Sequence, residues 1–88
     1  MIFMTIYTFR PEQRKQAVAR FLETGGAPPP GVKILARWHD VGGCRGYTIE
    51  ESDDATAISA FGYRWNDLMT LETFPVINDE QLGKVLTS

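Results

Sequence analysis

The sequence predicts an α+β domain of ferredoxin-like β-α-β-β-α-β order, with one short helix added at the C-terminus. Three observations lead there. Four segments rich in β-branched and aromatic residues alternate with apolar stripes at helical spacing. The first segment is apolar at both parities, as a central strand covered on both sides would be. The fourth contains Pro75, which belongs at a sheet edge. A split βαβ unit has strand order four, one, three, two, so it places the first strand centrally and the fourth at an edge. The chain of 88 residues admits one domain.

Each element has a local cause. Ile2 to Phe9 forms the first strand. Pro11 suits a first helical position, and Glu12 favours the first turn. Ala17, Val18, Phe21 and Leu22 make one apolar stripe. Gly25 and Gly26 end that helix, and Pro28-Pro29-Pro30-Gly31 is a stiff connector. Val32 to Asp40 and Arg45 to Glu51 form a hairpin around Gly42-Gly43. Ser52, Asp53 and Asp54 offer N-caps for a second helix, whose stripe is Ile58, Phe61, Gly62 and Trp65. Leu68 to Ile77 is the fourth strand. Asn78 with Gln81 resembles a capping box, and Leu82, Val85 and Leu86 form the apolar side of a last helix.

Alternation sorts the strands into two faces. One set is Ile2, Met4, Ile6, Ile34, Ala36, Trp38, Tyr47, Ile49, Met69 and Leu71. Being aliphatic and large, it is the expected partner of the helix stripes. With Gly42 and Gly43 as the turn, Trp38 faces Tyr47, a pair that contributes roughly 0.2–1 kcal/mol. The other set mixes Phe3, Tyr7, Phe9 and Phe74 with Thr5, Arg37, His39, Thr48, Glu50 and Glu72. Its aromatics predict a covered face, met by a second copy of the chain across a twofold axis. The expected assembly is a homodimer in which two antiparallel four-stranded sheets pack face to face.

Composition narrows the function classes. The formal net charge is −2, and no basic run interleaves with aromatics, so no nucleic-acid partner is expected. The opening MIFMTIYTF is too short for a membrane span and lacks the basic start of a signal peptide. The single Cys44 rules out an intramolecular disulfide and a multi-cysteine zinc site. A cytoplasmic protein without membrane partner, metal or cofactor is expected.

The segments M-I-F-M-T-I-Y-T-F-R-P-E, P-P-P-G-V-K-I-L-A-R-W-H, G-G-C-R-G-Y and W-N-D-L-M-T-L-E-T-F-P-V together resemble a family of short bacterial and phage proteins. That family is classed as a domain of unknown function among the dimeric α+β barrels. The same superfamily holds small antibiotic-biosynthesis-type monooxygenases, muconolactone-isomerase-like proteins and stress-responsive barrel proteins. The resemblance covers nearly the whole chain and implies the barrel fold and the homodimer. It transfers no activity, because fold alone does not assign one.

Candidate site residues fall into two groups. His39, Arg37 and Glu50 are the candidate catalytic groups. A histidine titrates near neutral pH, and a carboxylate beside an arginine can orient a substrate or act as a base. The competing reading has Arg37, Glu50 and Glu72 as an ion-pair network that locks the dimer. Trp38, Tyr47, Phe61 and Trp65 are the candidate ligand-binding residues, lining a cleft between sheet and helices. Gly62 would add room there. The competing reading makes them ordinary core.

Some larger barrels of this kind bind haem through a histidine, but 88 residues leave little space for one. Cys44 has Arg45 beside it and no second cysteine, so it reads as an incidental thiol. Two functions follow. One is a small-molecule-binding, monooxygenase-like protein acting on an aromatic or polar ligand. The alternative is a non-enzymatic dimeric accessory or regulatory module.

Overall fold

The structure, a computed structural model, describes residues 1–88. Strand β1 (Ile2–Thr8) leads through a single 3-10 turn at Pro11–Gln13 into α1 (Arg14–Thr24). Then come β2 (Lys33–His39), β3 (Arg45–Glu51), α2 (Ala55–Tyr63), β4 (Thr70–Val76) and α3 (Asp79–Leu86). The sheet order is β2-β3-β1-β4, and every pair is antiparallel. β1 is therefore central and β4 is an edge, as the two sequence clues required.

Local chemistry sets the boundaries. Gly25 takes φ 68° at the end of α1 and donates its N–H to the Phe21 carbonyl at 2.7 Å. A side chain in that left-handed region would be strained. Asp54 caps α2, its Oδ1 accepting the Thr56 N–H at 2.9 Å. The Asn78–Gln81 capping box of α3 forms with both its bonds, at 2.9 and 3.0 Å. In the hairpin turn the Gly43 N–H donates to the Asp40 carbonyl, and Arg45 Nε donates to Asp40 Oδ2 at 3.1 Å. Trp65 lies in the turn after α2 and not on the helix, because α2 ends at Tyr63.

Trp38 pairs with Tyr47 and Arg37 with Thr48, as the hairpin predicts. The alternation breaks once, at a bulge between Ile34 and Ala36. There Ile34 pairs with Glu50, so it shares the side of Glu50, while Ala36 pairs with Ile49.

The two faces are the reverse of the expectation. The helices cover the mixed polar face. Phe3 joins Val32, Ala57 and Ile58 in the buried apolar cluster, with Phe61 packed against it. Thr5, Thr48 and Glu50 are buried on the same side. The opposite face carries Ile2, Met4, Ile6, Ala36, Trp38, Tyr47 and Ile49. β4 adds Glu72, Phe74 and Val76 there, since they pair with Ile6, Met4 and Ile2. Trp38 is 69% exposed. In β4 it is Leu71 and Thr73 that face the helices.

The physical reason is that the mixed face offers the helices both apolar and polar partners. Phe3 packs with Val32, Ala57 and Ile58, and Arg37 bonds the Gly25 and Gly26 carbonyls that end α1.

The chain is not compact for its size. Its radius of gyration is 14.4 Å, against about 12 Å for a closed domain of this length. Only 13 of 88 residues are buried, and α3 contributes none of them. Leu82, Val85 and Leu86 of α3 remain exposed. No helix is long and apolar enough to cross a membrane.

Candidate functional site

Strand register builds the site in rows. Residues paired across neighbouring strands share a face, so three rows cross the helix-facing side of the sheet. The first runs Ile34, Glu50, Phe3, Pro75. The second runs Arg37, Thr48, Thr5, Thr73. The third runs His39, Gly46, Tyr7, Leu71. Helix α1 lays Ala17, Val18 and Phe21 over them, and α2 adds Ile58, Phe61 and Gly62. Between these layers is a cavity of about 280 Å³, near the lower end of the ~300–1,000 Å³ typical of small-molecule sites.

The third row contains a specific device. Tyr7 on β1 hydrogen-bonds His39 Nδ1 on β2, although β3 lies between them. The phenol ring crosses directly over Gly46. A Cβ at that position would lie only 2.1 to 2.3 Å from the Tyr7 ring and hydroxyl atoms. Glycine is required there because the space belongs to the ring. His39 is flanked by the Phe21 ring, edge-on with centroids 5.6 Å apart, and Phe9 stacks on Tyr7 at 6.1 Å. Burial raises the Tyr7 phenol above its ordinary pKa, and the nearby Arg37 charge opposes this.

The second row supplies polar groups at the sheet centre. Thr5 and Thr73 share a hydroxyl–hydroxyl hydrogen bond of 2.8 Å. Arg37 donates from Nη1 to the Gly25 carbonyl at 3.2 Å and from Nη2 to the Gly26 carbonyl at 2.5 Å. It thereby ties β2 to the end of α1. Its guanidinium also lies over the Phe21 ring, 5.5 Å from the centroid. Burial lowers its pKa, while its electrostatic interactions with Tyr7 and Glu50 act the other way.

Glu50 is only 2% exposed. Burial raises its pKa, and the Thr5 hydroxyl and Arg37 offset part of that rise. At the rim, Arg20 holds Asp67 through two hydrogen bonds of 2.7 and 2.8 Å and lies over Trp65, 5.6 Å from its ring centroid. That pair fixes the turn carrying Trp65.

Of the residues expected to form a site, His39, Arg37, Glu50, Phe61 and Trp65 all line this one cavity. Trp38 and Tyr47 do not. They lie on the open face, because they have the opposite parity to Arg37 and Thr48. Within the chain Arg37, Glu50 and Glu72 form no ion-pair network with one another. The three ion pairs join the N-terminus to Asp53, Arg20 to Asp67 and Arg45 to Asp40. Glu72 is on the other side of the sheet, opposite Ile6.

Sequence reasoning missed Tyr7, Phe21 and Gly46 as site residues. The available signal was Gly46 itself, since a glycine inside a strand marks a close approach by another group. Cys44 is half-buried in the turn, and no group of three or more His, Cys, Asp or Glu side chains is placed to hold a metal.

Fold and site together describe a small α+β protein with a ligand-sized cavity between its sheet and helices. The chain belongs to the DUF3303 family, a domain of unknown function, whose model matches residues 1–88. Its fold is similar to that of Rv0793 from Mycobacterium tuberculosis. The TM-score is 0.53 at 11% identity, over 89% of this chain and 95% of that one. No curated protein matches the chain.

Two outcomes follow from the geometry. Gly46→Ala should displace Tyr7 and break its bond to His39, with an overpacking cost of about 1–3 kcal/mol. His39 is the only histidine, so its ring signals report the change directly by NMR. An unchanged imidazole spectrum would contradict the crossing geometry.

For Glu50, the folded state retains the carboxyl proton to higher pH than the unfolded chain, which titrates near 4.5. The native state binds more protons in that window, so this contribution to stability declines as pH rises. Urea denaturation between about pH 4 and pH 8 should show wild type losing stability relative to Glu50→Gln as pH increases. A constant difference between the two would contradict the raised pKa.

Proposed function

We propose that this chain is a homodimeric small-molecule-binding protein of the dimeric α+β-barrel kind, with its ligand site between sheet and helices. One observation carries the reading. The side of the sheet under the helices is not a closed apolar core. It brings Glu50, Arg37, the threonine hydroxyls and the Tyr7–His39 couple onto a cavity walled by Phe21, Phe61 and Trp65. Buried polar groups are costly to place unless they are satisfied or used. A binding site explains why they converge where a core would ordinarily be apolar.

Tyr7 and His39 bring two hydrogen-bonded acid–base side chains onto the cavity, the residue types that proton transfer to or from a bound molecule would use. A monooxygenase-like reaction on an aromatic ligand would use such a couple to deprotonate its substrate. The likeness to Rv0793 supports the fold of this reading and goes no further.

The open sheet face supports self-association. It presents Trp38 and Phe74 exposed and a row of half-buried aliphatics that no helix covers. Monomers rarely leave so continuous an apolar face to water. The interface proposed here is thus aliphatic, and the polar groups belong to the cavity.

Gly62 lines the cavity, and a Cβ there meets nothing nearer than Leu71 Cδ1 at 3.8 Å. Gly62→Leu should therefore fold and fill the cavity. Aromatic fragments screened by ¹H–¹⁵N NMR should shift the amides of Thr5, Arg37 and Phe61 in wild type and leave Gly62→Leu unaffected. Fragments that shift none of these amides would sink the cavity reading.

Sedimentation equilibrium at micromolar concentration should give a dimer, and Ile6→Glu on the central strand should convert it to monomer. A monomeric wild type would sink the dimer.

A further inference from the structure

The cavity's charge balance names the class of ligand. This protein carries a net charge of −2, yet an arginine without a carboxylate partner faces its cavity. Arg37 is the cation that faces it from the sheet. Arg45 also borders the cavity, but its guanidinium lies over Tyr47 and is paired to Asp40. No carboxylate lies within ion-pair distance of Arg37. Glu50 is the one acidic side chain lining the cavity, and its burial favours the neutral form.

Hydrogen bonding points the same way. A guanidinium has five N–H donors in a fixed fork. Arg37 directs two at the Gly25 and Gly26 carbonyls, which hold it in place. Its other three meet no acceptor in the chain. A partly buried cation held rigid by two carbonyls, with donors to spare, is prepared for a planar anion. Thr48 sits beside it in the same row, and the Tyr7 hydroxyl in the next.

The rest of the wall is apolar and aromatic, with Phe21 and Phe61 from the two helices and Trp65 at the rim. That combination excludes a small inorganic anion as the best fit, because such an ion would leave the aromatic walls unused. It also disfavours a cation, which would meet Arg37 directly.

Resting on the cavity reading above, we propose that the ligand is an amphipathic organic anion. It has a flat aromatic or alicyclic body between the helices and a single carboxylate, or an equivalent enolate or phenolate, on Arg37. The anion neutralises Arg37, and the Tyr7–His39 couple lies one row away from it.

The test uses the full chain and two probes with one ring system, 1-naphthoate and the neutral 1-naphthalenemethanol. Isothermal titration calorimetry at neutral pH and low salt should find naphthoate binding at least about tenfold more tightly, as charge-assisted bonds to arginine provide. Added salt should weaken naphthoate and leave the alcohol unchanged. Arg37→Gln should reduce naphthoate to the level of the alcohol. Arg37→Lys, which retains the charge and a donor to the carbonyls, should preserve part of the preference.

If the alcohol binds as well as naphthoate to wild type, the anion inference is overturned and the cavity reading stands. If neither binds, both are overturned. If the preference survives in folded Arg37→Gln, the assignment to Arg37 is wrong.

Discussion

Helices α1 and α2 both lie over one face of the sheet, and that face is the polar one. Much else in this protein depends on that constraint. Packing helices onto threonines, an arginine and a glutamate cannot yield a dry, close-packed core. Side chains that carry hydrogen-bonding groups need partners and space. The result is a small apolar cluster around Phe3, Val32, Ala57 and Ile58 at one end. Over the rest of the sheet the layers stand apart and enclose a cavity.

The polar groups are held by short cross-sheet links. Arg37 anchors to the backbone that ends α1, so the same left-handed turn that stops the helix also presents carbonyls to the guanidinium. Thr5 bonds Thr73 across β1 and β4. Tyr7 reaches over Gly46 to His39 and links β1 to β2 across the intervening β3. Each link spans strands distant in sequence, so the site is a product of register and not of any single segment. This arrangement costs stability at Glu50, whose charged form burial disfavours. Such a cost is common where a fold holds a group for use and not for packing.

The other face has the opposite character. Aliphatic side chains that could have formed an excellent core beneath the helices instead look outward. The chain by itself is extended, with an exposed terminal helix and few buried residues. A second copy covering that face would supply the apolar burial that 88 residues do not provide alone. The polar cavity and the aliphatic outer face are therefore two consequences of one choice of side.

Element order, strand order and nearly every boundary were legible in the amino-acid sequence. Those depend on local chemistry: Pro75 at an edge, Gly25 at a helix end, Asp54 and Asn78 as caps, and a glycine turn that sets Trp38 against Tyr47. The sequence also separated the two faces correctly along β1 and β3 and in β2 past its bulge. In β4, and upstream of the bulge beside Ile34, simple alternation misassigned residues. Which face the helices cover emerged only in the folded chain, because it depends on contacts between distant segments, such as Arg37 with the Gly25 and Gly26 carbonyls and Phe3 with Val32, Ala57 and Ile58. That single decision moved Arg37, His39 and Glu50 from an expected interface into the cavity with Phe61 and Trp65, and moved Trp38 and Tyr47 out of it. The Tyr7–His39 bond was likewise invisible along the chain, since it exists only because Gly46, on the strand between them, leaves room for a ring to cross.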